Sequence, residues 1–177
     1  MTQFFEPLLI IAAAFCFAAT FSSCSRGPTT PTTRAEKPIV LILCTGNSAR
    51  SQMAEGFVRY YAGDRFAVHS AGMKPAARVN PFAVQAMREL GIDISGQYPK
   101  HANEFLGKMP VAHLITVCSA ADSQCPAVIS DVDQRLHWPF DDPAAIEGTD
   151  EEKLTGFRRI RDEIQVKIKS WVDSLPQ

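Results

Sequence analysis

Ile39-Val40-Leu41-Ile42-Leu43-Cys44-Thr45-Gly46-Asn47-Ser48-Ala49-Arg50-Ser51 runs from five apolar residues into a polar loop, and Gln52-Met53-Ala54-Glu55-Gly56-Phe57-Val58 follows with helical spacing. An unbroken apolar pentad is what a strand covered on both faces of a parallel sheet requires. A short loop between such a strand and a helix N-terminus turns several N–H groups toward one point, which attracts a tetrahedral oxyanion. The candidate anion-binding residues are therefore Thr45, Gly46, Asn47, Ser48, Ala49 and Arg50. Gly46 and Asn47 are residue types that tolerate the positive φ such a nest needs, and Arg50 brings a planar fork of donors suited to two anion oxygens. Cys44, beside the helix N-terminus, the guanidinium of Arg50 and the hydroxyl of Ser51, is expected to be a thiolate and a nucleophile. The bland alternative is a buried structural cysteine and a solvated arginine.

Strands and helices alternate outward from this stretch. Residues 66–70 read as a second strand, 113–117 as a third and 134–138 as a fourth. Helices are expected over residues 51–62 and after Asn80-Pro81, where Asn at the N-cap and Pro at the first helical position precede a run ending at Gly91. A long amphipathic helix over residues 151–172 carries Leu154, Phe157, Ile160, Ile164, Ile168 and Val172 near one face. Such alternation implies an α/β three-layer sandwich, a four-stranded parallel sheet with helices on both faces and its site at the carboxyl ends of the strands. The loop at Cys44 lies at that end.

With 177 residues, 46% of them apolar and 21% charged, the chain can bury a substantial core and is not a disordered protein. A net charge of −1, with no basic cluster interleaved with aromatics, argues against nucleic acid as a partner. The four histidines have no metal-ligand spacing, so no metal site is expected.

Cys118, at the end of the third strand, and Cys125 lie seven residues apart. They lack the companions of a metal site. A static disulfide is awkward, because a helical intervening segment would hold the backbones about 10 Å apart. Two buried structural cysteines would be the default in isolation, but beside a reactive thiol at the same sheet edge a thiol relay is the better reading. Asp141 and Asp142, after the fourth strand, bring two carboxylates to the same rim, where one can serve as a general acid. The alternative is turn chemistry at Asp142-Pro143.

The chain divides into a leader (1–24), a Pro/Thr-rich linker (25–38) and a catalytic domain (39–177). Residues 7–21 are almost wholly apolar, and Ser22-Ser23-Cys24 resembles the lipidation box of bacterial lipoproteins. The stretch before the apolar run holds Glu6 and no Lys or Arg, a poor start for a signal peptide. An uncleaved anchor is the second reading; Arg26, Arg34 and Lys37 would then keep the domain in the cytoplasm. An over-extended start site is the third, and it too would leave the protein cytoplasmic. The expectation is membrane association through the N-terminus, with the side of the domain open.

The ordered segments CTGNSARSQMAEG, HSAG, VNPFAVQAM, IDIS, ITVCSAADSQCP, HWPFDDPA and FRRIRDEI resemble the thioredoxin-coupled arsenate reductases, which share the fold of the low-molecular-weight protein tyrosine phosphatases. The resemblance implies Cys44 as nucleophile, Arg50 as anion clamp, Ser51 as thiolate stabiliser, Cys118 and Cys125 as redox relay, and Asp142 as acid. It implies arsenate as substrate, thioredoxin or a similar dithiol as external reductant, no bound cofactor and a monomer. Some members bind potassium through residues matching Asn47, Glu55, Ser70 and a further carboxylate. Lys100 stands close to that carboxylate's place, so its ammonium is expected to replace the ion. A phosphotyrosine phosphatase would use Cys44, Arg50 and Asp142 without needing the cysteine pair, and Ala144 stands where such phosphatases usually carry aromatics. A membrane-tethered anion-binding or redox-sensing protein without turnover is the third class.

Overall fold

The structure is a computed structural model that describes residues 36–105, 107–118 and 131–176. The leader, nearly all of the linker and Cys125 lie outside these residues. Among the described residues no helix is long and apolar enough to cross a membrane.

Four strands, β1 (Ile39–Cys44), β2 (Ala67–Gly72), β3 (Val111–Thr116) and β4 (Val132–His137), alternate with helices α1 (Arg50–Ala62), α2 (Pro81–Arg88) and α3 (Asp150–Ser174). The sheet is wholly parallel in the order β2-β1-β3-β4. The apolar pentad therefore sits centrally, and Val40 through Leu43 are fully buried. Its side chains alternate as a strand demands. Val40, Ile42 and Cys44 join the core shared with α1, α2 and α3, whereas Leu41 and Leu43 pack on the other face with Ala71, Leu114 and Phe105. A 3-10 turn at Ala102–Glu104 contributes to that second face. The arrangement is the expected parallel α/β fold.

Local chemistry accounts for the element ends. The Asn80 side chain accepts from the Phe82 amide at 2.9 Å, with Pro81 at the first helical position. Thr149 and Glu152 form a capping box at the head of α3. The expected apolar face of α3 is buried throughout, and Trp171 and Arg161 join it. Arg161 donates to the Ala86 carbonyl at 2.8 Å and pairs with Glu89 at 3.0 Å, tying α2 to α3. Several expected bounds shift: β2 runs on to Gly72, α2 stops at Arg88, β3 begins at Val111, and β4 begins at Val132, which pairs with Val111.

Register brings the strand ends together. Cys44 pairs with Gly72, Leu43 pairs with Thr116, and the Val117 amide donates to the Leu43 carbonyl at 2.9 Å. Gly72 is required by close approach, since a Cβ there would lie 2.6 Å from the Thr45 carbonyl oxygen and 2.9 Å from the Asn47 nitrogen.

Candidate active site

Residues 45–49 leave β1 and enter α1 with their carbonyls turned away from the nucleophile. The backbone amides of Lys74, Ala76 and Asn80 donate to the carbonyls of Thr45, Gly46 and Ser48 at 2.9, 2.8 and 2.9 Å. The Asn47 carbonyl instead accepts from Nε2 of Gln52 at 2.9 Å. In a trans peptide the following N–H points opposite to its carbonyl, so these anchors turn the N–H groups of residues 46–49 the other way. Asn47 N–H accordingly donates to Cys44 Sγ at 3.1 Å. Asn47 has φ 45°, the left-handed conformation expected of the loop, whereas Gly46 does not adopt it. One left-handed residue suffices because the 74–80 backbone supplies the remaining restraint. That corrects the expectation for Gly46.

Asn47 also orders the side chains behind the sulfur. Its Oδ1 accepts from the Lys100 backbone amide at 2.7 Å, which can only donate, so Nδ2 must face Ser51 Oγ at 2.9 Å and Ser70 Oγ at 2.8 Å. Ser70 Oγ in turn donates to the Glu55 carboxylate. With its oxygen accepting from Asn47, Ser51 is free to donate to Cys44 Sγ, 2.8 Å away. The Lys100 amide and the buried carboxylate together thus set the direction of the chain, whose far end points the Ser51 hydroxyl proton at Cys44 Sγ. Glu55, 1% exposed, is balanced by Arg59 and by the Lys100 ammonium at 3.4 Å, which also donates to the Tyr98 carbonyl at 3.0 Å. Asn47, Glu55, Ser70 and Lys100, grouped from the sequence as support of the loop, therefore meet.

Arg50 and Asp142, the expected anion clamp and acid, meet on the other side. Arg50, at the head of α1, donates through Nη1 to the Phe140 carbonyl at 3.0 Å, while Nη2 lies 3.3 Å from Asp142 Oδ2. Asp142 caps the 3-10 turn Pro143–Ala145 by accepting from the Ala144 amide at 3.1 Å, so the turn chemistry and the rim position coexist. Asp141 points instead to Arg159 at 3.4 Å. A pocket of about 260 Å³ is lined by Cys44, Gly46, Ser48 and Ala49, by Arg50 and Asp142, and by Ala76 and Ala144. Its size suits a small oxyanion, and Thr45 and Asn47 serve it from outside its lining. A larger cavity of about 730 Å³ lies behind the loop, lined in part by Glu55, His69, Tyr98 and Lys100; none of Cys44, Arg50 or Asp142 lines it. Chemistry belongs to the smaller one.

Cys118 is 1% exposed and directly follows Val117, the residue hydrogen-bonded to Leu43 beside Cys44. Cys125 lies outside the described residues. Among the described residues no cluster of His, Cys, Asp or Glu could hold a metal.

Gln52, Phe140 and Ala76 are site residues that the sequence reading missed. Gln52 carried a faint signal, an amide inside the motif on a helix that packs against the sheet. The contributions of Phe140 and the 74–80 segment are backbone groups, which leave no signature in side-chain pattern.

Burial pushes the His69 imidazole below its ordinary range; Glu55 opposes this, and Arg59 and Lys100 reinforce it. The folded state then binds fewer protons than the unfolded chain between the lowered value and 6.5. The expected result is stability that is intact above 6.5 and lost as pH falls through the lowered value, with His69→Asn flattening that part of the curve. Urea melts at stepped pH check it; an unaltered slope in the variant removes His69 as the cause.

Residues 39–177 match the family described as low molecular weight phosphotyrosine protein phosphatase. An arsenate reductase of Halalkalibacterium halodurans is 50% identical over 139 residues, 78% of this chain and 97% of that protein. A solved arsenate reductase in the phosphate binding state superposes with TM-score 0.66 at 29% identity, covering 78% of this chain and 99% of that one. A Corynebacterium glutamicum thioredoxin-dependent arsenate reductase superposes with TM-score 0.59 at 25% identity, covering 80% of this chain and 63% of that one. The extent of the family match and of that curated relative agrees with the pocket built from Cys44 to Ser51, and the chain belongs to the low molecular weight phosphotyrosine protein phosphatase family.

Proposed function

We propose that this protein reduces arsenate to arsenite. The observation that carries the reading is the small pocket joining Cys44, Arg50 and Asp142, with a second buried cysteine, Cys118, on the adjoining strand end. The curated relative and the superposed structures named arsenate reductase support it. In the proposed mechanism Cys44 attacks arsenic, Asp142 protonates the departing hydroxide to water, and Arg50 with the loop N–H groups holds the remaining oxygens. A Cys44–S–As(V) adduct forms. Cys118 then attacks Cys44 Sγ; the S–As bond breaks and its electron pair stays on arsenic, releasing arsenite. Cys125 attacks Cys118, which frees Cys44 as thiolate and leaves a Cys118–Cys125 disulfide. An external dithiol restores both thiols, and the Corynebacterium glutamicum neighbour, named thioredoxin-dependent, favours thioredoxin.

A phosphatase reading draws on the same three residues. Among the described residues Ala76 and Ala144 line the pocket and no aromatic side chain does, so aryl phosphate hydrolysis is expected to be a minor activity. The deciding experiment is arsenite formation by the full-length protein with thioredoxin, thioredoxin reductase and NADPH. Arsenate-dependent NADPH oxidation is expected; no arsenite, with hydrolysis of an aryl phosphate intact, makes the protein a phosphatase.

The position of the Lys100 ammonium, 3.4 Å from Glu55 Oε2 and 3.0 Å from the Tyr98 carbonyl, supports the reading that it stands in for a structural cation. Potassium is therefore expected to leave activity unchanged. Lys100→Ala leaves Glu55 with Arg59 as its remaining cation, at an expected cost of about 1–3 kcal/mol in a denaturant melt. Stimulation of the native enzyme by potassium overturns this role.

Membrane association through residues 1–24 remains our proposal for the leader. Mass spectrometry of the mature N-terminus tests it, and an unmodified chain beginning at Met1 rejects the lipoprotein form.

A further inference from the structure

We infer that Gln52 is a positioning residue that fixes the polarity of the oxyanion cradle, deciding whether the 47–48 peptide offers the anion an N–H or a carbonyl oxygen. The inference rests on the reading of the Cys44 pocket as an oxyanion site.

Four carbonyls, those of residues 45 to 48, must face away from the pocket if the loop is to attract an anion. Three are held by backbone amides, of Lys74, Ala76 and Asn80. The fourth, of Asn47, is held by a side chain, Gln52 Nε2 at 2.9 Å. It belongs to the left-handed residue of the loop, φ 45°. A turn of the 47–48 peptide plane alters only ψ of Asn47 and φ of Ser48, so the bond to the Asn47 carbonyl is what opposes it. Flipping the 47–48 peptide would turn the Asn47 carbonyl toward the pocket and take the Ser48 N–H away from it. The dipole facing an oxyanion would then change sign.

Gln52 is built for this one task. It is fully buried on α1, and Nε2 spends its two protons on the Asn47 carbonyl and on the Tyr98 carbonyl at 3.0 Å. Its own Oε1 is buried without a hydrogen-bond partner among the described residues. A buried amide that leaves its acceptor idle is held for its donors, since an apolar side chain would fill the space without that penalty. Tyr98 also receives the Lys100 ammonium, so Gln52 anchors the loop to the segment that supports Glu55. The Asn47 N–H bond to Cys44 Sγ lies on the preceding peptide and does not depend on Gln52.

That separation gives the test. Cys44 is alkylated with iodoacetamide, a neutral reagent, with increasing inorganic phosphate as protectant, in the full-length protein, Gln52→Glu and Gln52→Met. Gln52→Glu keeps the shape and removes both donors; Gln52→Met removes them without adding charge. The expected result is that half-protection, read against each variant's own alkylation rate without phosphate, needs at least about tenfold more phosphate in both variants. In the native protein the Ser48 amide resonance is expected to move on phosphate addition. Unchanged protection in the variants overturns the role of Gln52, as does a Ser48 amide that phosphate leaves unmoved. Failure of phosphate to protect the native protein would instead reject the oxyanion site itself.

Discussion

Cys125→Ser forms one equivalent of arsenite per enzyme and then stops. In the proposed cycle the first disulfide joins Cys44 to Cys118, and both sulfurs belong to residues at most 3% exposed. A protein reductant has no access to a bond buried in this way, so the oxidation must be moved outward before it can be cleared. The proposed mechanism assigns that transfer to Cys125. Without it the Cys44–Cys118 disulfide persists, and the nucleophile is consumed by its first turnover. Rapid-quench measurement of arsenite should give an amplitude of one per site, followed by no steady-state rate, and peptide mapping should find Cys44 bonded to Cys118. Cys118→Ser stops earlier, before any arsenite leaves, because nothing takes the sulfur from arsenic. Continued turnover of Cys125→Ser with thioredoxin would show that another route resolves the disulfide and would remove Cys125 from the mechanism.

Arg50→Lys lowers kcat/KM for arsenate by about 10²- to 10³-fold. Positive charge survives this substitution, so a purely Coulombic role would lose much less. The guanidinium is 6% exposed and reaches two groups at once, the Phe140 carbonyl and Asp142 Oδ2. A lysine ammonium is a compact point charge that cannot keep the Phe140 anchor and also span two oxygens of an anion. Its retained charge leaves Asp142 with a partner but without a fixed direction. The loss therefore falls on kcat as well as on KM, which steady-state kinetics separates. A variant within a factor of about ten of native in kcat/KM would reduce Arg50 to a source of charge.

The fold was legible where the pattern is chemical. The apolar run before Cys44 announced a central strand, Asn80-Pro81 marked a helix start, and the spacing from Leu154 to Val172 defined the buried face of α3. That Cys44, Arg50 and Asp142 belong to one pocket was legible because each role expected of them needs a particular side chain. Other parts of the site are built from backbone: the Lys74, Ala76 and Asn80 amides, the Phe140 carbonyl and the Tyr98 carbonyl. Any residue except proline supplies such an amide, so sequence pattern does not reveal them. Glu55 on α1 would ordinarily be taken for a solvated charge; only its ties to Ser70, Arg59 and Lys100 explain its burial.

The outward commitment of the loop carbonyls has a kinetic consequence. The chain surrendered the freedom of residues 45–48 when it folded, so an arriving anion has little left to order and no slow closing step to wait for. Asp142, whose side chain is 46% exposed, is the part of the pocket left with room to move. Capture of the anion is then rapid and the cradle static, while under the proposed mechanism the timing of each cycle passes to the acid and to the thiol exchanges that follow.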